Sequence, residues 1–361
     1  MDTDVALDAD VVVIGAGITG CLTAREILER DPAARVVVVD RAEIAGGASR
    51  FSAGLHFPRG AAPETREMAA YSQSFYAKLK AADPGLPVHP LRMTVVAPAE
   101  AEAHLRETYL PEAELSRTAK PDRTATAAVH VPSSHLAWTG TGCQYADVPA
   151  LTRRLALALR PRVVFREGVG AESVDPGPDA VEVALTTGER LAARRVVVAV
   201  GPWLPGSPWN AGLGARVKKV VALHVELPPG PGDPAIVFEQ EDAFLLPLAH
   251  RGHWLFSYTC TDWDVLPDEL GRGLTAGELR PGRELLAAYA PEMAAHCASG
   301  RVFCDAYSPD RTPLVRPLAG DHRVVVAGAA NGSGYRLAPA IAVKTADLLF
   351  PLASLDTQET R

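Results

Sequence analysis

The 361-residue sequence predicts an α/β protein: a Rossmann-like nucleotide-binding domain of mostly parallel strands, interrupted by an α+β domain built on a mostly antiparallel sheet. Three observations predict it. Residues Asp10 to Asp40 read as strand, glycine-rich turn, helix, strand and acid in that order. Apolar β-branched runs recur at Val163, Arg195 to Gly201 and Arg323 to Gly328, as buried parallel strands require. Between Lys218 and Tyr258 the text changes to short strand-like runs with hairpin spacing.

Val11 to Ile14 suit a parallel strand buried on both faces, and they end in Gly15, Gly17 and Gly20 of a GxGxxG turn. The first glycine permits the turn, the second lets backbone approach a pyrophosphate, and the third seats the helix against the sheet. A helix is predicted from Ile18 to Arg30, with Ile18 and Thr19 in the turn that offers free N–H groups to phosphate. The strand Val36 to Val39 delivers Asp40, twenty residues beyond Gly20, where a carboxylate accepts ribose hydroxyls and opposes a 2'-phosphate. This unit binds FAD or NAD. The loop after Arg41, with Gly47, Ala48, Ser49, Ser52, Ala53, Gly54 and Leu55, supplies small residues and donors where an NAD fold would continue into another helix, and so favours FAD.

The motifs DVVVIGAGITG, VVVVDR and GGASRFSAG together resemble the D-amino acid oxidase superfamily of flavoproteins, which includes glycine oxidase and monomeric sarcosine oxidase. The resemblance implies FAD as cofactor, a discontinuous FAD-binding domain over 1–85, 143–217 and 306–361, and a substrate-binding domain over 86–142 and 218–305. It also carries Val169 over as a backbone contact to adenine, and Gly201 and Trp203 as contacts near the pyrophosphate.

Further along, Pro63 to Ala82 has helical spacing, and Leu91 to Val131 alternates β-type runs with charged helical text. Asp147 can cap a helix through Leu159, and Val181 to Leu185 with Arg190 to Ala193 suggest a hairpin about Gly188. FLLPL and HWLFSYT form a second hairpin, and helices are expected at Gly282 to Tyr289 and Pro291 to Ala298. After the strand Arg323 to Gly328, the run Asn331, Gly332, Ser333, Gly334, Tyr335, Arg336, Leu337 reads as a glycine-rich turn, with a helix following Pro339 to Leu349. In the superfamily this element holds the pyrimidine end of the flavin.

Substrate chemistry is where the pattern departs. Aligned on Pro313, Asp305 stands where glycine oxidase-type relatives carry the arginine that forks onto a substrate carboxylate. A carboxylate there attracts an amine or sugar hydroxyls and disfavours a simple α-amino acid unless Arg311 or Arg336 substitutes. His56, Tyr258 and Tyr307 join Asp305 as candidate catalytic groups, and Trp254 and Trp263 can line a cavity or a core. Sarcosine oxidase relatives bind FAD covalently through a cysteine before a Pro-Asp pair. Cys304 is one residue out of that spacing, so noncovalent FAD is expected. Their oxygen-activating lysine has no counterpart in His253 to Tyr258. The expected activity is hydride transfer from the carbon alpha to an amine onto flavin N5, giving an imine and hydrogen peroxide. The alternatives are a dehydrogenase of a hydroxy acid or sugar-like alcohol using an electron carrier, or a flavin-binding subunit without catalysis.

Bulk properties fit a globular enzyme with a small-molecule substrate. With 47% hydrophobic residues, 22% charged and a net charge of -7, nothing points to nucleic acid or an anionic membrane as partner. The acidic start MDTDVALDAD is unlike a signal peptide, which suggests a cytoplasmic protein, and the alanine and proline content a GC-rich bacterial genome. Five cysteines without a CxxC pair, and histidines such as His250 and His253 without a third ligand, predict reduced thiols and no metal site.

Overall fold

A computed structural model describes residues 7–118, 129–271, 273–318 and 320–351. Part of the Leu91 to Val131 reading, the first residues of the acidic start and the last residues of the 306–361 segment lie outside them.

The chain opens as its motif requires: β1 (Ala9–Ile14), α1 (Ile18–Arg30) and β2 (Val36–Asp40), with β1 and β2 parallel and Val11 opposite Val36. A short α2 (Ala48–Phe51) and β3 (Leu55–His56) lead to α3 (Pro63–Ala82), whose proline occupies the first helical position, where no N–H is needed. The strand β4 (Val88–Pro98), α4 (Glu102–Thr108), β5 (Ser116–Thr118) and the long β6 (His135–Ala146) follow. Asp147 caps α5 (Val148–Leu159), its Oδ1 accepting the Ala150 N–H at 3.2 Å. Then come β7 (Val163–Glu167), β8 (Ala171–Pro176), β9 (Val181–Leu185) and β10 (Arg190–Val198), the last two forming the expected hairpin.

The second half runs β11 (Arg216–Val225), β12 (Ala235–Phe238), β13 (Ala243–Leu248), β14 (His253–Tyr258), α6 (Ala276–Tyr289), α7 (Pro291–Ala295), β15 (Cys297–Tyr307), β16 (Leu314–Leu318), β17 (Asp321–Gly328) and α8 (Gly334–Leu349). Several boundaries differ from expectation, among them the helix expected from Gly282, which already starts at Ala276 behind a capping box of Thr275 and Glu278. The helix predicted to Ala298 stops at Ala295, because Cys297 already pairs with Val225 at the start of β15. And α8 begins at Gly334 rather than after Pro339.

Pro339 inside α8 has a local remedy. It cannot donate to the carbonyl one turn back, that of Tyr335. The Tyr76 hydroxyl on α3 donates to that carbonyl at 2.7 Å, and the two tyrosine rings stack with centroids 4.7 Å apart. A foreign side chain thus supplies the hydrogen bond that the helix lacks.

Two sheets organise these elements. One has the order β16-β17-β10-β1-β2-β7, with β8 and β9 added on β10, and is parallel from β17 to β7. Its central strands are valine-rich because both faces are covered: Val11, Val13 and Val38 pack with Ile27 of α1 and Ile341 of α8, while Val12, Ile14 and Val39 pack with Val183, Leu191 and Trp209. The other has the order β15-β11-β14-β13-β12-β4-β6-β3, with β5 on β6, and is antiparallel except for β12 with β4. One face carries Trp254, Phe256 and Phe238 against α6 and α7, and the opposite, inner face carries Ala222, Leu246, Leu255 and Phe303. Among the described residues no helix is long and apolar enough to cross a membrane, and no group of three or more His, Cys, Asp or Glu is placed to hold a metal.

Replacing Tyr76 with Phe leaves the buried Tyr335 carbonyl without a donor. We expect a loss of about 1–3 kcal/mol in denaturant unfolding, and unchanged stability would show that the hydroxyl is dispensable.

Candidate active site

A cavity of about 1210 Å³ lies between the carboxyl ends of the parallel strands and the inner face of the antiparallel sheet. It exceeds the roughly 300–1,000 Å³ of a single small-ligand pocket, leaving room for a dinucleotide and a substrate together.

At the nucleotide end, Gly15, Gly17, Ile18 and Thr19 line the cavity. Gly15 has a φ of +109°, and a Cβ on Gly20 would lie 1.9 Å from the Gly15 carbonyl oxygen. Gly20 therefore does not reach the cavity, and its place is packing α1 on the turn. The N-cap residue Gly17 has no side chain with which to cap α1, and the first turn of the helix borders the cavity through Gly17, Ile18 and Thr19. The Ile18 N–H donates to Ser49 Oγ at 3.0 Å, which ties the second loop to the first. Asp40 lines the cavity as expected, and each of its carboxylate oxygens already accepts a backbone N–H, from Ala16 at 2.6 Å and Ala42 at 2.8 Å. Burial raises its pKa, and those two donors pull it down.

Arg41, Gly201 and Trp203 also stand on the wall. The Arg41 guanidinium lies 4.8 Å over the Trp203 ring, and both side chains meet Asp268, which accepts from Trp203 Nε1 at 3.0 Å. Asp268 comes from a short turn, Pro267–Glu269, that no motif in the sequence marks. Val169 stands just behind the wall, its N–H donating to the Asp40 carbonyl at 2.8 Å, and the following Gly170 and Ala171 line the cavity.

Along the middle, Gly47, Ala48, Ser49 and Ser52 line the cavity, and so do Ala53, Gly54 and Leu55. A Cβ on Gly47 would stand 3.0 Å from the Trp203 ring. At the far end, Gly332, Gly334, Tyr335, Arg336 and Leu337 bring the uncapped N-terminus of α8 to the same cavity. Arg336 is held by donating to the Arg59 carbonyl at 3.1 Å and to Ser333 Oγ at 2.6 Å, and it lies 5.0 Å over Phe57. Burial lowers its pKa to about 10, so it stays cationic at neutral pH.

Two helix N-termini on the cavity wall, glycines where a Cβ would intrude and a carboxylate at the end of the second strand fit FAD. Residues 15–19 and 40–41 suit its adenosine and pyrophosphate, residues 47–55 its middle, and residues 332–337 its ring.

The four catalytic candidates separate. Side chains alternate across a strand, so Arg301, Phe303, Asp305 and Tyr307 of β15 share the inner face. Asp305 and Tyr307 line the cavity, and burial pushes the Asp305 carboxyl up to about 6. Tyr258 faces the other way: its ring borders the cavity, but its hydroxyl donates to the Glu278 carbonyl on α6 at 2.6 Å. His56 is fully buried and off the cavity wall, with its ring 6.0 Å from that of Tyr76, and burial beside the Arg336 charge lowers its pKa to about 3. It is a neutral packing residue, misread because β3 turns it away while Leu55 and Phe57 face the cavity.

The structure also adds residues. Ser257 replaces Tyr258 on the inner face, Trp263 lines the cavity, and Trp254 is wholly in the core. Lys218 on β11 sits directly opposite Asp305 and lines the cavity. Arg311 stands at its exposed rim. Cys304, one residue before Asp305, points to the opposite face, and burial lifts its thiol to about 12.

The profile of a family described as FAD dependent oxidoreductase (DAO) matches residues 10–348. A search of curated proteins finds no match by sequence. Similar solved structures include L-amino acid deaminase from Proteus vulgaris, with its specific insertion sequence deleted (TM-score 0.76, 19% identity, 97% of this chain and 91% of that one). Glycine oxidase from Geobacillus kaustophilus is similar too (0.76, 17%, 95% of each chain). So is L-α-glycerophosphate oxidase from Mycoplasma pneumoniae with FAD bound (0.77, 17%, 94% of each chain).

The Asp305 carboxyl has a raised pKa, so the stability it contributes is full below about pH 4 and is lost as pH rises through about 6. Above that, burying the ionised group costs up to about 3 kcal/mol. Asp305→Asn should therefore raise the melting temperature more at pH 8 than at pH 5. A difference independent of pH would contradict this.

Proposed function

Given that the chain belongs to the DAO family of FAD-dependent oxidoreductases, we propose that it oxidises a C–N bond in an amine or modified amino acid. The observation that carries this reading is the Asp305 carboxylate on the cavity wall, an acceptor suited to an amine. When bound, FAD supplies the redox chemistry by accepting hydride at N5, with imine as product and, if oxygen is the acceptor, hydrogen peroxide.

The remaining work falls to this chain's residues. With a pKa near 6, Asp305 is ionised at neutral pH, can accept an N–H of the substrate, and is matched to take the proton that an ammonium must shed before oxidation. Phe303 and Tyr307 flank it on the same face of β15, and the burial they share with it strengthens that contact. Tyr307 keeps its proton, since burial and the Asp305 charge raise its pKa, and so it serves as a donor. Arg336, fixed as a cation at the N-terminus of α8, reinforces the positive end where reduced flavin carries negative charge. FAD is held noncovalently in this reading, because Cys304 lies on the face turned away from the cavity.

The related structures named for amino acids agree with a C–N substrate. The one named for glycerophosphate keeps a hydroxyl-bearing substrate as the second reading, in which Asp305 accepts from alcohols and an electron carrier serves as acceptor.

The purified protein should show the two flavin absorption bands, and acid precipitation should release the flavin into the supernatant. Colour retained in the pellet would overturn noncovalent binding. An amine panel under air should bleach the flavin and yield peroxide. Bleaching by alcohols alone and without peroxide would select the dehydrogenase reading, and flavin that no small molecule reduces would select a non-catalytic subunit.

A further inference from the structure

Lys218 and Asp305 occupy directly opposed positions on the neighbouring antiparallel strands β11 and β15, and both line the cavity. Such positions hold their Cβ atoms roughly 4.5–5.5 Å apart on the same face of the sheet. Yet among the described residues they do not pair with each other, and neither has an ion-pair partner. Asp305 receives no hydrogen bond there either, and burial alone raises its pKa.

The Lys218 ammonium is drawn away along the wall. It lies 5.4 Å from the Trp263 ring centre and 5.6 Å from that of Tyr307, and it donates to Thr259 Oγ1 at 3.3 Å. The Thr259 hydroxyl in turn donates to Asp242 Oδ2 at 2.7 Å, so its lone pair is left for the lysine. The neighbouring Lys219 differs, because it points to the opposite face and is paired with Asp262 and with Glu278 at 3.1 Å. Both lysines border the cavity, but Lys219 is neutralised by two acids, while Lys218 is left without a carboxylate partner among the described residues.

We propose that Lys218 and Asp305 form a two-point clamp for a zwitterionic substrate, with Lys218 Nζ donating to its carboxylate and Asp305 accepting from its amine. This rests on the C–N reading above and narrows its substrate class from amines in general to amino acids. It also removes the objection that a carboxylate at position 305 raises against an amino acid, since the adjacent strand supplies the missing cation. Placement of the two charges side by side fixes orientation as well as affinity, because a reversed substrate would set like charges against each other.

The test uses the FAD-loaded protein and follows perturbation of the flavin spectrum by phenylacetate, by its uncharged analogue phenylacetamide and by phenethylamine. Phenylacetate should bind at least tenfold more tightly than phenylacetamide. Lys218→Met should abolish that preference and Lys218→Arg should restore most of it, with the flavin spectrum and melting temperature certifying that each variant folds. Asp305→Asn should tighten phenylacetate and weaken phenethylamine. Equal binding of phenylacetate and phenylacetamide by the unaltered protein, absence of any perturbation, or a preference that survives Lys218→Met would each overturn the clamp. Anaerobic flavin reduction by phenylalanine and phenethylamine separates the two readings. Reduction by amines with an unaltered anion preference in Lys218→Met would sink the clamp and leave C–N oxidation standing. The predicted binding pattern without reduction by any amine or amino acid would do the reverse.

Discussion

The contact of Gly20 with the Gly15 carbonyl is the constraint on which the rest of the structure depends. With no Cβ at position 20, α1 seats directly on the turn that leaves β1, and its first turn borders the cavity. Every other feature of the nucleotide end is arranged about that point. Asp40 braces the turn by accepting the Ala16 N–H, Ser49 reaches across to the Ile18 N–H, and Val169 is tied to the Asp40 carbonyl. The same residues that close the loops onto one another also present the donors and the carboxylate that suit a dinucleotide. The opposite end repeats the device with α8, whose internal proline is made tolerable by Tyr76.

The substrate side is governed by a different constraint, the two-residue alternation of a strand. Because β15 directs odd-numbered residues inward, Asp305 and Tyr307 reach the cavity and Cys304 cannot. On β14 the same rule exchanges Tyr258 for Ser257, and on β11 it separates Lys218 from Lys219. A shift of one residue in any of these registers would invert the site. Much of the inner face is apolar, and burial there raises the Asp305 carboxyl.

The cover of the cavity is held differently. Asp268 meets Arg41 and Trp203 from a short turn, but both charged side chains are more than half exposed, and exposed pairs contribute little to stability. Asp264 and Arg216 are similarly exposed. What joins the segment between β14 and α6 to β11 is backbone: the Lys219 N–H donates to the Asp262 carbonyl at 2.9 Å and the Asp264 N–H to the Val217 carbonyl at 2.7 Å.

The nucleotide unit was legible in the sequence because its signals are local. A glycine turn, a buried strand and a helix start are set within a few residues of one another, so β1, α1, β2 and the start of α1 follow from pattern alone, as do the helix Pro63 to Ala82 and the two hairpins. The sequence determined the family, the cofactor and Asp305 as the point where the pattern departs. It misplaced the start of α8, because Pro339 reads as a helix boundary unless a distant tyrosine relieves it. It also brought in His56, which a strand's alternation turns away, and Tyr258, whose ring borders the cavity while its hydroxyl is spent on α6, and missed Lys218 and Asp268, which lie far along the chain from the residues they face. Only the tertiary structure decides such pairs, since strand register and the meeting of distant loops are set by the packing of whole faces rather than by any residue's neighbours in the chain.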